Sequence, residues 1–117
     1  MGRLSTHVLD TAQGKPAAGL VLELHYLGGA SRQHLATFTT NPDGRTDGPL
    51  LAPEDMVTGV FELVFCVGDY FRAQGLGLPD PAFLDAVPVR FGIADASGNY
   101  HVPLLVSPYG YSTYRGS

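Results

Sequence analysis

The stretch Gly19-Leu20-Val21-Leu22-Glu23-Leu24-His25-Tyr26-Leu27, closed by Gly28-Gly29, decides the fold class. Side chains alternate between faces along an extended chain. Leu20, Leu22, Leu24 and Tyr26 therefore share one face, and Val21, Glu23, His25 and Leu27 share the other. A period of two with one fully apolar row describes a strand lying on a core. The same pattern extends outward. Upstream, Leu4 to Leu9 reads as a strand that stops at the turn Asp10 to Pro16. Downstream, His34 to Thr40 is rich in β-formers and ends at Asn41-Pro42-Asp43-Gly44. In that turn proline presets one φ and glycine supplies a positive one. A short strand is expected from Arg45, and a longer one over Gly59 to Val67 with Phe61, Leu63, Phe65 and Val67 inward.

The one helix expected is Gly68 to Gly75, with Asp69 as cap and Gly75 as stop. Val87 to Ile93 alternates again, and Pro88 marks it as an edge or a strand start. After the turn Ala94 to Asn99 come two last strands, Tyr100 to Val106 and Tyr109 to Arg115, joined by Ser107-Pro108. Fifteen glycines and nine prolines punctuate these short segments, as in all-β chains. The expected architecture is all-β: a two-sheet Greek-key sandwich with one short helix, in a single domain over residues 1–117.

Composition narrows the function. With 44% hydrophobic and 15% charged residues the chain is globular. A net charge of −4 with seven Lys plus Arg and no basic run argues against nucleic acid as a partner. No apolar run approaches the ~20 residues of a spanning helix, so no membrane role is expected. The start Met1 to His7 lacks the apolar stretch of a signal peptide, and the expected address is cytoplasmic. Cys66 is the only cysteine; lying in an apolar run, it is expected to be buried rather than reactive.

Three features carry candidate chemistry. His7 lies mid-strand on a face with Ser5 and Leu9, opposite Leu4, Thr6 and Val8. His101 lies on a face with Pro103 and Leu105, opposite the core row Tyr100, Val102, Leu104 and Val106. The end of the chain, Tyr109 to Ser117, is polar and aromatic to its last residue, in a way that suits contact better than fraying. Taken singly, each has a bland reading. A lone strand histidine is usually surface or satisfied, and His25 and His34 fit that description. Arg45 alone is solvated surface; Asp10, Asp43 and Asp47 are turn residues first. No Gly-x-Ser-x-Gly elbow, His-x-x-x-His spacing or Gly-x-Gly-x-x-Gly run occurs, so serine-nucleophile, metal and dinucleotide chemistries find little support. Convergence of His7 and His101 with a third ligand leaves zinc open from the residues alone.

In combination the features are specific. Leu4-Ser5-Thr6-His7-Val8-Leu9-Asp10, Thr39-Thr40-Asn41-Pro42-Asp43-Gly44-Arg45 and the run Tyr100 to Ser117, ending Tyr114-Arg115-Gly116-Ser117, resemble the 5-hydroxyisourate hydrolases of the transthyretin-like family. The closing tetrapeptide separates these hydrolases from transthyretin, the hormone carrier on the same fold. The segment before Val87 departs from the family's usual Phe-Tyr-Pro or Phe-Phe-Pro text, reading Pro81-Ala82-Phe83-Leu84-Asp85-Ala86-Val87-Pro88.

The resemblance implies a catalytic group of His7, Arg45 and His101. Ser112, Tyr114 and Ser117 would join His7 and Arg45 in lining the substrate. It implies hydrolysis of a cyclic amide-type bond in a purine-derived small molecule, no metal and no cofactor. It also implies a homotetramer with sites between dimers, built from the faces of the first and last two strands. One histidine would activate water and the other would orient it or supply a proton; the sequence leaves the order open. Two other readings compete: a non-catalytic carrier of an aromatic ligand, which needs a smooth apolar channel and no titrating pair, and an exported sandwich adhesion domain.

Overall fold

The computed structural model describes residues 2 to 116. Its strands are β1 (Arg3–Ser5), β2 (Val8–Asp10), β3 (Lys15–Pro16), β4 (Val21–Tyr26), β5 (Gln33–Thr39), β6 (Gly59–Phe65), β7 (Val87–Ile93), β8 (Asn99–His101), β9 (Leu104–Ser107) and β10 (Gly110–Thr113). One helix, α1 (Val67–Ala73), follows β6, and Pro53–Asp55 forms a single 3-10 turn. One sheet has the order β5-β4-β6-β7 and the other β10-β9-β2-β3, with β1 paired to β8 beside it.

The apolar rows meet between the sheets. Leu20, Leu22 and Leu24 of the β4 segment, and Phe61, Leu63 and Phe65 of β6, are fully or almost fully buried. Leu4, Val8, Leu104 and Val106 close on them from the other sheet. Each such side chain contributes roughly 1.5–3 kcal/mol relative to exposure. This is the expected sandwich.

The first strand is not continuous. Leu4 to Leu9 forms two strands separated by Thr6-His7, and Tyr100 to Val106 is likewise split at Val102-Pro103. The two breaks face each other. Pairing is parallel and keeps one register across them: Ser5 opposes His101, and Val8 opposes Leu104. Val102 N–H donates to the Ser5 carbonyl at 2.9 Å, and Leu104 N–H to the His7 carbonyl at 2.9 Å. The Val102 carbonyl instead takes the Thr6 hydroxyl at 2.7 Å. Pro103 has no N–H to give. Because the register survives, so does the alternation. Leu4, Thr6, Val8 and Asp10 are buried, while Ser5, His7 and Leu9 are half-buried on the outer face.

Other departures are local. Lys15-Pro16 pairs with Leu9-Asp10 rather than closing a simple turn. No strand follows Arg45; Leu51 instead makes one isolated bridge to Leu4. The last strand stops at Thr113. Asp69 does not cap α1, which begins after Cys66 with no side-chain cap; Asp69 lies in the first turn and pairs with Arg72 at 3.2 Å. Gly75, at φ 74°, ends the helix as expected. Cys66 is only half-buried, and burial, then Glu23, Asp69 and Asp85, push its thiol up.

Asp10 does more than hold its turn. It is fully buried, accepts the Gln13 N–H at 2.9 Å and Gln13 Nε2 at 2.8 Å, and takes the Tyr70 hydroxyl at 2.8 Å. The bonds satisfy the buried carboxylate and tie β2 to α1. Burial, then Asp10, push the Tyr70 phenol up.

Candidate active site

The site begins with the turn that carries Arg45. The Asn41 side-chain oxygen accepts the Asp43 N–H at 2.9 Å and the Arg45 N–H at 3.2 Å, and Asn41 N–H donates to the Arg45 carbonyl at 2.7 Å. Gly44, at φ 75°, lets this closed loop dock on the sheet: its carbonyl accepts the Val8 N–H at 2.8 Å. A Cβ there would come within 2.4 Å of the Val8 carbonyl. The dock falls one residue past His7, so the loop sets Arg45 beside the outward face of the β1–β2 edge.

Arg3, Ser5, Arg45, Asn99, Tyr100 and His101 line one polar cleft of about 250 Å³. His7 shares the face of Ser5, one step further along. Ser5 Oγ lies 2.9 Å from His101 Nδ1. Burial, then the nearby Arg45, His7 and Arg3, hold the His101 imidazole below its ordinary value of 6.5. It is therefore neutral at pH 7. Among the described residues neither Arg3 nor Arg45 forms an ion pair. Asp47 lines the adjoining cleft with Arg3 and Arg45 but pairs with neither, and accepts Asn41 Nδ2 at 3.0 Å instead.

The tail approaches from the other side of His101. It runs antiparallel to β9 with Gly110 opposite Ser107 and Thr113 opposite Leu104. Beyond the strand the register holds: Thr113 Oγ1 donates to the Pro103 carbonyl at 2.7 Å, and Gly116 bridges to His101 with its N–H on the His101 carbonyl at 2.7 Å. Arg115 fixes this path by lying 4.1 Å over the Tyr100 ring and donating to the Asn99 carbonyl at 3.2 Å.

Of the residues singled out in the sequence, Arg45 and His101 thus line one cleft, and His7 stands on the same face beside it. Ser112 opposes Leu105 and shares that face, further along the sheet. Tyr114 is not brought to the cleft within one chain. It lies 60% exposed, in a groove with Val89, Phe91 and Thr113 at the β7–β10 edge. The strand ends at Thr113, so alternation no longer dictates where Tyr114 points. Ser117 lies outside the described residues. His25 is not a surface histidine: it is buried, with Nε2 2.8 Å from Glu23 Oε1 and its ring edge-on to His34 at 5.2 Å. Ser5, Arg3 and Gly116 were not singled out. The alternation that put Ser5 on the face of His7 was the signal for Ser5. Among the described residues no group of three His, Cys, Asp or Glu side chains is placed to hold a metal ion.

Comparison with known proteins is decisive at the family level. The model of the HIUase/transthyretin family matches residues 4–116. The chain belongs to this family. Among curated relatives it is 64% identical over 116 residues to 5-hydroxyisourate hydrolase 2 of Rhizobium meliloti (strain 1021), covering 99% of this chain and 97% of that protein. Among solved structures it resembles Klebsiella pneumoniae 5-hydroxyisourate hydrolase, with 34% identity, a TM-score of 0.80, and coverage of 98% and 99% of the two chains. Sparus aurata transthyretin shares the fold at a TM-score of 0.85 and 26% identity, covering 97% of this chain and 96% of that one. These two hydrolases are thus nearer in sequence than this transthyretin, although the fold is shared with the two solved structures.

Proposed function

We infer that the chain is a 5-hydroxyisourate hydrolase, an enzyme that opens a purine-derived ring by adding water across a cyclic amide-type bond. The observation that carries the reading is the gathering of Arg45, His7 and His101 at one polar cleft on the outward face, with neither Arg45 nor Arg3 in an ion pair among the described residues. A carrier of apolar rings has no use for it, and a planar, oxygen-rich substrate does.

In the proposed reaction His101 is the base. Its Nε2 takes a proton from water as the water oxygen bonds to the ring carbonyl carbon. A histidine kept neutral at working pH suits that step. The carbonyl electrons move to oxygen, and Arg45 opposes the developing negative charge with a forked pair of donors. Collapse of the adduct breaks the bond to the ring nitrogen, which leaves with a proton. His7, beside the cleft, orients the water or supplies that proton. The product is 2-oxo-4-hydroxy-4-carboxy-5-ureidoimidazoline, with the new carboxylate near Arg45. No step calls for a metal or cofactor.

The exposed edge formed by Tyr109, Tyr111 and Tyr114 suits burial between subunits. The proposed assembly is a homotetramer with two-fold axes, in which a neighbouring chain completes the substrate wall with its Ser112, Tyr114 and Ser117. The proposed location is the cytoplasm; no helix of the described residues is long and apolar enough to cross a membrane.

The test is direct. Freshly made urate oxidase product is added to the protein, and its ultraviolet decay is followed against buffer. The reading predicts faster decay with the protein and unchanged rates after chelation. A trace that matches buffer would remove the hydrolase reading.

A further inference from the structure

His101 is held at two edges of its ring. On one edge Nδ1 meets Ser5 Oγ at 2.9 Å. On the other edge lies Gly116, where an added Cβ would stand 2.6 Å from His101 Cδ2, 3.2 Å from Cγ and 3.3 Å from Cβ. The Gly116 backbone does not lie in the positive-φ region that favours glycine. The ring, not the backbone, is what excludes a side chain there. The remaining edge carries Cε1 and Nε2. Among the described residues Nε2 has no hydrogen-bond partner, and the only unpartnered buried side-chain atom is His25 Nδ1. Nε2 is thus the ring nitrogen without a described partner, and His101 lines the cleft.

We propose that Ser5 and Gly116 are positioning residues that fix His101 as the Nδ1–H tautomer, with the Nε2 lone pair aimed into the cleft. This rests on the hydrolase reading for its chemical purpose, but not for its geometry. The tautomer follows from what each nitrogen faces. Of the side chains lining the cleft with His101, Arg45 and Arg3 carry the charge and offer only N–H donors, which favours a lone pair at Nε2 over an N–H. Nδ1 looks at a hydroxyl, which accepts as readily as it donates. The proton thus resides on Nδ1 and is donated to Ser5 Oγ. The hydrogen bond at one nitrogen decides what the other can do.

Each half of the device has its own origin in the chain. Ser5 reaches Nδ1 because β1 and β8 pair in parallel with Ser5 opposite His101. Gly116 reaches the opposite edge because the tail keeps the β10–β9 register past the Pro103 break. A methyl at position 116 would push the ring and so draw Nδ1 off Ser5. The cost would fall on the ring's aim rather than on folding.

The experiment records the ¹⁵N shifts of the His101 ring at pH 7.5 in the full-length protein, assigned against His101→Gln, and pairs them with kinetics on fresh 5-hydroxyisourate. In the wild type Nδ1 should carry the proton and Nε2 should not. Ser5→Ala should move the ring to a mixed or Nε2–H state, and Ser5→Thr should restore the wild-type shifts. Kinetically, Ser5→Ala should lower kcat by roughly 10–100-fold, the range for partners that orient metal-bound histidines, with KM little changed. Gly116→Ala should perturb the same two nitrogen shifts and lower kcat by a similar factor, with an unchanged circular dichroism spectrum. Because Gly116 sits in the tail, this variant tests the clamp even if Ser5→Ala folds poorly. A wild-type ring protonated on Nε2 would overturn the inference, as would unchanged shifts in both Ser5→Ala and Gly116→Ala. Absence of turnover in a wild type that shows the expected shifts would instead sink the hydrolase reading and leave the clamp standing.

Discussion

The outward faces of the two sheets treat charge in opposite ways. On the β5-β4-β6-β7 sheet, buried Glu62 pairs with Arg32 and, at 3.2 Å, with Arg90, while Glu23 takes His25 at 2.8 Å. On the face bearing β1, β2 and β8, Arg3, Arg45, His7 and His101 gather with no carboxylate ion pair among the described residues. The first arrangement serves stability, since a buried charge is tolerable only when paired and hydrogen-bonded. The second keeps its donors uncommitted at some cost to stability, as expected of a surface whose partner is a ligand. The two histidines differ in their surroundings: His25 is buried, with Nε2 on Glu23 and Nδ1 unpartnered among the described residues, whereas half-buried His101 lines a polar cleft.

The contrast can be broken most severely at Arg45. Arg45→Gln removes the donor proposed to oppose the oxyanion, and kcat should fall by about 10²–10³-fold. The acid limb of the pH–rate profile should move as well. In the wild type it should lie below 6.5, because burial and the nearby Arg45, His7 and Arg3 disfavour the imidazolium of His101. In the variant, with one of those charges gone, it should rise toward 6.5. A limb that stays put would separate Arg45 from His101.

Removing residues 114–117 probes the same face from the tail side. The truncation deletes the Arg115 contact over Tyr100 and the Gly116 bridge to His101, while the core is untouched. Activity should drop by about 10²-fold or more, as for a misplaced reacting group. Circular dichroism should show a retained fold, and light scattering the same oligomeric state as the wild type. Wild-type turnover in the folded, truncated protein would remove the tail from the site.

The opposite face should answer in stability alone. Burial pushes the Glu62 carboxyl up, but its bonds and charge attraction to Arg32 and Arg90 outweigh this and hold it below the ordinary value of 4.5. A carboxylate with a depressed folded pKa stabilises the fold above its unfolded pKa, and that stabilisation is lost as pH falls through the folded value. Glu62→Gln should therefore lower unfolding free energy at pH 7 by about 1–3 kcal/mol, and the deficit should shrink below pH 4. The kcat of the folded variant should match the wild type. Urea melts at the two pH values, beside turnover, check both halves.

Much of this was legible in the sequence. The strands over 19–27, 59–67 and 87–93 are visible because one apolar row faces one core. His7 and His101 were readable as outward because the alternation runs unbroken through both. What the alternation could not report was the pairing partner. The break at Thr6-His7 exists because it lies opposite Val102-Pro103, almost a hundred residues away. The burial of His25 depends on the irregularity between Leu24 and His25 in the β4–β5 ladder, where the register shifts, and on Glu62 as cross-strand neighbour. Ser5 was on the right face, yet its role needs the parallel pairing with β8. Gly116 is plain in sequence as part of a signature, but the reason it must be glycine is a ring on another strand. Tyr114 went the other way: expected to line the substrate, it lies past the strand's end at Thr113, in the groove with Val89 and Phe91.

The central claim is that chemistry belongs to the uncompensated face and not to the paired one. The most direct test compares initial rates of 5-hydroxyisourate loss for His101→Asn and His25→Asn, each verified as folded by circular dichroism. His101→Asn should lose about 10²–10⁴-fold in kcat, the worth of general acid–base help, while His25→Asn should turn over at the wild-type rate. Equal losses in both variants, or full activity in His101→Asn, would contradict the account.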